Sequence, residues 1–195
     1  MTVTRLINNF SSWTQIVEVS EVRDQIVEWG FCDGIIVSPF DGPPSALLGM
    51  FLHYSVPANV YGSDRDFRVV RYNQNLSYEF QRLVCVKELI HQMDDVSDSI
   101  SSKKQLSELL DEILHDGSNI TKLRRATHLE DIAVYQALAI LCPEDVREEL
   151  FNKFHEASGK ITLEHIAERF AIPVEYAGYL MLPQWKGFWK MLAKD

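Results

Sequence analysis

Lys87, Glu88 and His91, in the run VCVKELIHQMDD (84–95), are the residues whose types and spacing come nearest to a reaction centre. The zinc-peptidase pattern H-E-x-x-H sets two histidines four apart on one helix face, where both imidazoles hold the metal. The glutamate between them acts as general base on the metal-bound water. Glu88 fits the base and His91 the second ligand, while Lys87 replaces the first ligand. An ammonium has only donors and cannot ligate zinc.

On a helix advancing about 100° per residue, Lys87, Glu88, His91, Asp94 and Asp95 share an arc of about 120°. Cys85, Val86, Leu89, Ile90 and Met93 fill the rest of the wheel, and Leu83 and Val84 fall on the polar arc one turn earlier. Two readings stand at this point: a metallopeptidase-type site, or an amphipathic helix whose polar face meets water. A third metal ligand must come from another element. Glu130, in HLEDIAVYQALAILCP (128–143), is the candidate, because it shares a stripe with Ala133, Val134, Ala137 and Leu141. A carboxylate on a buried stripe needs a cation. The alternative for Glu130 is a solvated acid at a helix start. Asp95, one turn beyond His91, and Asp94 are further candidates. His128 lies two residues from Glu130 and so on another face. His53, His115, His155 and His165 read as surface or core-edge histidines. No Cys–His or Ser–His–Asp set and no glycine-rich phosphate loop is identifiable, with 9 glycines in the chain.

The elements that must position these residues follow from periodicity. SSWTQIVEVSEVRDQIVEWGF (11–31) reads as one amphipathic helix, and GIIVSPF (34–40) as a buried strand ended by DGPPS. ALLGMFLHYSVPANVYGS is ambiguous between helix and strand. DFRVVRYN (66–73) alternates as a strand, and Ser77 is placed to cap a helix over 77–95 with Glu79 in its first turn. Further helices are expected over 101–115, 128–141, 144–156, 162–170 and 174–182. Strands with one helix, then a run of helices, give an α+β fold with a small β-sheet packed on a mostly helical body.

The chain has 195 residues, enough for one domain with its own core, and 46% hydrophobic and 24% charged residues, the make-up of a globular protein. Its net charge of −9, with 28 acids against 19 bases, argues against nucleic acid as a main ligand. The one basic cluster, KLRRATH (122–128), reads as a solvated loop or helix end. Cys32, Cys85 and Cys142 form no CxxC pair and are expected in the core of a cytoplasmic protein. No apolar run spans a membrane, and the N-terminal residues carry no secretion-signal pattern.

Three segments in order resemble the ImmA/IrrE family of zinc metallopeptidases. VVRYNQNLSYEFQRLVCVKELIHQMDD is similar to the family's strand, capped turn and helix with R-F-x-x-A-H-E-x-x-H. EDIAVYQALAILCPEDV is similar to E-x-x-A-N-x-F-A-x-x-L-L-M-P, with Glu130, Ala133 and Pro143 in register and Val134 in place of the Asn. ITLEHIAERFAIPVEYAGYLML is similar to the family's later helical segment. The resemblance covers residues 67–182, leaving 1–66 as a divergent N-terminal part of the same domain and 67–195 as the family-like core with its helical C-terminal region. It implies a zincin-like architecture, Glu88 as general base if the protein is active, and His91 and Glu130 as metal ligands. With Lys87 in place of the first ligand, the expected protein is a pseudo-metallopeptidase without a cofactor. It would be a protein-binding regulatory module of a bacterial, phage or mobile-element system. Its partner would be a transcriptional repressor or a toxin–antitoxin-type protein, with neither nucleic acid nor membrane. The alternative is a zinc-dependent endopeptidase with an altered ligand set that cleaves a helix-turn-helix repressor. ITLEHIAERFAIPVEYAGYLML also has helix-turn-helix form, but its second helix offers no basic or amide side chain, so it reads as packing or partner-binding. The tail with Trp185, Phe188 and Trp189 reads as a core-closing helix.

Overall fold

The computed structural model describes residues 3–44, 47–57, 64–93, 132–156 and 161–194. Three strands form one mixed sheet: β1 (Gly34–Phe40), β2 (Gly49–Val56) and β3 (Arg65–Asn73), in the order β1-β3-β2. β3 pairs parallel with β1 and antiparallel with β2. Helices α1 (Val3–Phe10) and α2 (Val19–Glu28) precede the sheet, and α3 (Tyr78–His91) follows it. After these come α4 (132–141), α5 (Glu144–His155), α6 (Leu163–Phe170), α7 (Val174–Leu180) and α8 (Trp185–Leu192). The architecture is mixed α+β. No helix among the described residues is long and apolar enough to cross a membrane.

The single helix expected over 11–31 is instead two helices, α1 and α2, joined by a non-helical stretch. Arginine side chains hold the backbone of that stretch: Arg169 donates to the Thr14 carbonyl at 2.6 Å and Arg82 to the Val17 carbonyl at 2.7 Å. At its end the Glu18 backbone N–H donates to the Glu21 carboxylate at 2.7 Å, so α2 starts at Val19. Val17 remains fully buried, and Trp13 meets Phe10 edge to face, so the apolar residues reach the core without a continuous helix.

Two buried arginines tie the elements together. Arg82 of α3 bonds Val17 O, the Ala171 carbonyl at 3.1 Å and the Glu18 carboxylate at 2.9 Å. Ala171 ends α6 in the left-handed region (φ 50), which turns the chain into α7. Arg147 of α5 makes a two-pronged pair with Glu144 at 2.7 and 2.8 Å and also donates to the Leu180 carbonyl at 3.2 Å. The core runs through Phe10, Ile26, Val70, Leu89, Leu138, Ile140 and Phe170, all almost fully buried. α8 buries Trp185 and Leu192, and Thr4 and Asn8 of α1 donate to its terminal carbonyls at Leu192 and Ala193. All three cysteines are free and buried.

Candidate functional site

Local chemistry sets where α3 begins and ends. Ser77 accepts from the Phe80 N–H, and the Gln81 side chain closes the preceding turn onto Gln74 O and Leu76 O at 3.1 and 2.8 Å. At the other end the helix stops at His91. Arg68 of β3 donates to the Gln92 carbonyl just beyond, satisfying a group that the helix leaves open. The helix expected over 77–95 therefore ends before Asp94 and Asp95, which lie outside the described residues. The wheel carried those two aspartates onto the Lys87 arc only by extending the helix past its stop.

Lys87, Glu88 and His91 do share one side of α3, and that side is not wet. Glu88 is 4% and His91 9% exposed, because this side packs on the sheet. The approach is close at Gly49, the first residue of β2. A Cβ there would lie 2.3 Å from Val84 Cγ1 and 3.2 Å from Glu88 Cγ. Hydrogen in place of a side chain lets the strand press onto the helix. Two residues along, on the same face of β2, Phe51 stacks on the His91 ring with centroids 6.5 Å apart. For Glu88 and His91 this burial overturns the alternative in which the polar arc simply faces water.

The charges are organised within the triple. Lys87 Nζ lies 2.9 Å from Glu88 Oε1, with the two side chains 14% and 6% exposed. At that distance and an effective dielectric near 20 the attraction is about 6 kcal/mol before desolvation is counted. The Glu88 carboxylate also adds to burial in pushing the Cys85 thiol up to about 12. Across the helix interface burial raises the Tyr176 phenol of α7, and the Lys87 charge opposes that rise. Tyr176 meets Phe80 of α3 edge to face, 6.2 Å between centroids.

Beyond His91 a second polar chain continues along the inner face of the sheet. His53 of β2 stands opposite Arg68 of β3. His53 Nε2 lies 2.6 Å from Asp66 Oδ1, and Asp66 Oδ2 lies 3.1 Å from Arg68. His53 thus sits against Asp66 at the edge of the sheet. His155 and His165 are exposed helix residues, and His115 and His128 lie outside the described residues.

Glu130 also lies outside the described residues, as do KLRRATH and the helix expected over 101–115. Of the stripe assigned to Glu130, Ala133, Ala137 and Leu141 are buried and Val134 is partly buried. Among the described residues no group of three His, Cys, Asp or Glu side chains is placed to hold a metal ion. Lys87, Glu88 and His91 by themselves do not fit zinc: the set holds one imidazole, and an ammonium occupies the position one turn before it, paired to the would-be base. Sequence reasoning passed over Gly49, Phe51, Arg68 and Tyr176. A lone glycine inside an apolar strand-like run was the available signal for Gly49, since it marks close backbone approach. The other three become site residues only through tertiary packing.

No protein-family model matches this chain, and no curated protein sequence matches it.

Proposed function

We propose that this protein is a non-catalytic protein-binding module of ImmA/IrrE type with a zincin-like architecture, in which Lys87 stands where the first zinc ligand of a metallopeptidase would be. The observation that carries the reading is the Lys87–Glu88 pair at 2.9 Å, in which the carboxylate is buried and the ammonium partly so. A cation fixed in the chain neutralises the carboxylate that a metal and its water would otherwise engage, and it does so at a site built around a degenerate H-E-x-x-H helix. Such a protein acts by holding a protein partner. A transcriptional repressor or a toxin–antitoxin-type protein of a bacterial, phage or mobile-element system, met in the cytoplasm, suits the reading.

The edge of the sheet supports peptide binding beside the triple. Natural edge strands are guarded against pairing by proline, lysine or bulges. β1 carries Pro39, whereas β2, GMFLHYSV, carries neither proline nor lysine. Among the described residues β2 pairs on one side only, with β3. An extended partner segment added to that edge would run alongside Phe51 and the helix bearing Glu88 and His91.

The second reading, an endopeptidase with an altered ligand set, rests on Glu88 and His91 lying buried one turn apart on the same side of α3. One experiment separates the two: elemental analysis of native protein and of Lys87→His, each purified without added metal or chelator. The binding-module reading expects no stoichiometric zinc in the native protein and zinc in Lys87→His. Near-stoichiometric zinc in the native protein would sink it in favour of the variant peptidase. No zinc in either protein would remove the claim that this helix derives from a metal site.

A further inference from the structure

The face of the sheet turned away from α3 breaks the rule that a one-sided sheet alternates apolar inward and polar outward. Register and packing define that face. Val70, Phe51 and Gly49 point toward the helices, so the residues between them point away. Ile36, Val69 and Leu52 stand side by side across all three strands, and Phe67 and Tyr54 form the next row. Gly34 opposite Phe67 leaves the room that its ring occupies, since a Cβ there would lie 3.1 Å from it. Ile36 is 57%, Tyr54 51% and Val56 48% exposed. A parallel pair such as β1–β3 is ordinarily covered on both faces, and contiguous apolar surface of this kind marks an interaction site.

Charge and dimensions say what fits there. On a chain with 28 acids and 19 bases, no outward-facing strand position carries an acid. Arg65 stands at one end of the face and Arg71 at the other. Arg71 is held by the Pro39 carbonyl at 3.1 Å and lies over the Phe40 ring. Outer strands two spacings apart are separated by about 10 Å, the width of one α-helix. Arg65 to Arg71 along β3 spans about 20 Å, the length of about four helical turns.

We propose that this outer face docks a single amphipathic α-helix of another protein, with an apolar stripe on Ile36, Leu52 and Val69 and carboxylates toward Arg65 and Arg71. The α3 site lies on the opposite face of the sheet.

The test uses the full chain and two fluorescent synthetic helical peptides of about 16 residues that share one leucine stripe. One is flanked by glutamates and the other by lysines, and binding is followed by anisotropy. The glutamate peptide is expected to bind at least about tenfold more tightly than the lysine peptide. Ile36→Glu should weaken it by a further factor of about ten. Arg65→Glu, an exposed charge reversal that keeps the apolar face, should narrow the preference between the two peptides. Circular dichroism confirms that both variants fold. Absence of binding, equal binding of the two peptides, or no effect of either variant would overturn the proposal. Protection of Tyr54 from hydroxyl-radical oxidation in the peptide-free protein would also overturn it, since the face would then be covered already.

Discussion

Removing the Lys87 charge tests whether the cation of the α3 site is structural. In Lys87→Met the stem keeps its packing while Glu88, 6% exposed, loses a partner 2.9 Å away. The gross attraction of about 6 kcal/mol at an effective dielectric of 20 is an upper figure. Part of it offsets the desolvation of two charged groups, and breaking one side of a buried pair typically costs about 3–5 kcal/mol. An exposed pair is worth about 0–1 kcal/mol. The expected loss for Lys87→Met is therefore about 3 kcal/mol. Glu88→Gln should cost less, because the lysine is the more exposed partner of the two. The double variant should lose less than the sum of the singles, with a coupling of at least about 1.5 kcal/mol. Urea unfolding at neutral pH, with all four proteins measured for midpoint and slope, supplies the cycle. As an internal reference, Lys153→Met removes a lysine from an exposed ion pair with Glu149 and should leave the unfolding midpoint nearly unchanged. A loss for Lys87→Met equal to that reference, with coupling below about 0.5 kcal/mol, would refute the idea that Lys87 stands in for a removable cation.

Three further outcomes follow from the packing. Gly49→Ala puts a Cβ 2.3 Å from Val84 Cγ1, so the strand or the helix must move; a loss of about 1–3 kcal/mol is expected in thermal or urea unfolding. Arg82→Met removes bonds to Val17 O, Ala171 O and Glu18 at once and should cost about 3 kcal/mol or more, with Arg82→Lys failing to restore it because an ammonium lacks the guanidinium's planar fork. Burial pushes the Cys85 thiol up from 9.0 to about 12, so its neutral form is favoured in the folded state. That contribution is fully present below about pH 9 and is lost as pH rises toward 12, at about 1.4 kcal/mol per pH unit. Cys85→Ala should flatten this alkaline slope, and an unchanged slope in equilibrium unfolding would count against the burial argument.

How much of this was legible in the sequence depended on whether an element has one environment or two. β1 is bounded at 34–40 as its apolar run indicates, because Gly34 and the Asp-Gly-Pro-Pro turn punctuate it. β3, α5, α6 and α7 fall within a residue or two of their periodic patterns, and α6 and α7 each bury one side, at Ile166, Ala167 and Phe170 and at Ala177 and Leu180. β2 was ambiguous for the opposite reason: Gly49, Met50, Phe51 and Leu52 are apolar on both faces, so the period-2 signal vanishes. The 11–31 stretch failed because Val17 is a core residue and Trp13 packs against the core through tertiary contacts, and apolar spacing alone cannot separate that from a helix.

The site shows the same division in sharper form. Spacing alone brought Lys87, Glu88 and His91 to one side of a helix, since that follows from 3.6 residues per turn. Whether that side was wet depended on Gly49, whose missing side chain admits β2, and on Phe51, which covers His91. The ambiguity of β2 and the ambiguity of the α3 face were therefore one problem. A strand apolar on both sides is what a sheet needs if one face must bury a charged helix surface while the other stays apolar. The inner face of β2 keeps water from the Lys87–Glu88 pair and so raises what that pair is worth. Its outer residues, Leu52 and Tyr54, then have no such task within the described chain. If they served only stability, Leu52→Thr and Tyr54→Thr, which place a β-branched residue suited to a strand, should cost little beyond about 1 kcal/mol. The same substitutions should remove most of the affinity for the glutamate-flanked helix. A large stability loss without any change in peptide binding would make that surface a misread part of the core, and the apolar outer face would need a covering element from the chain itself.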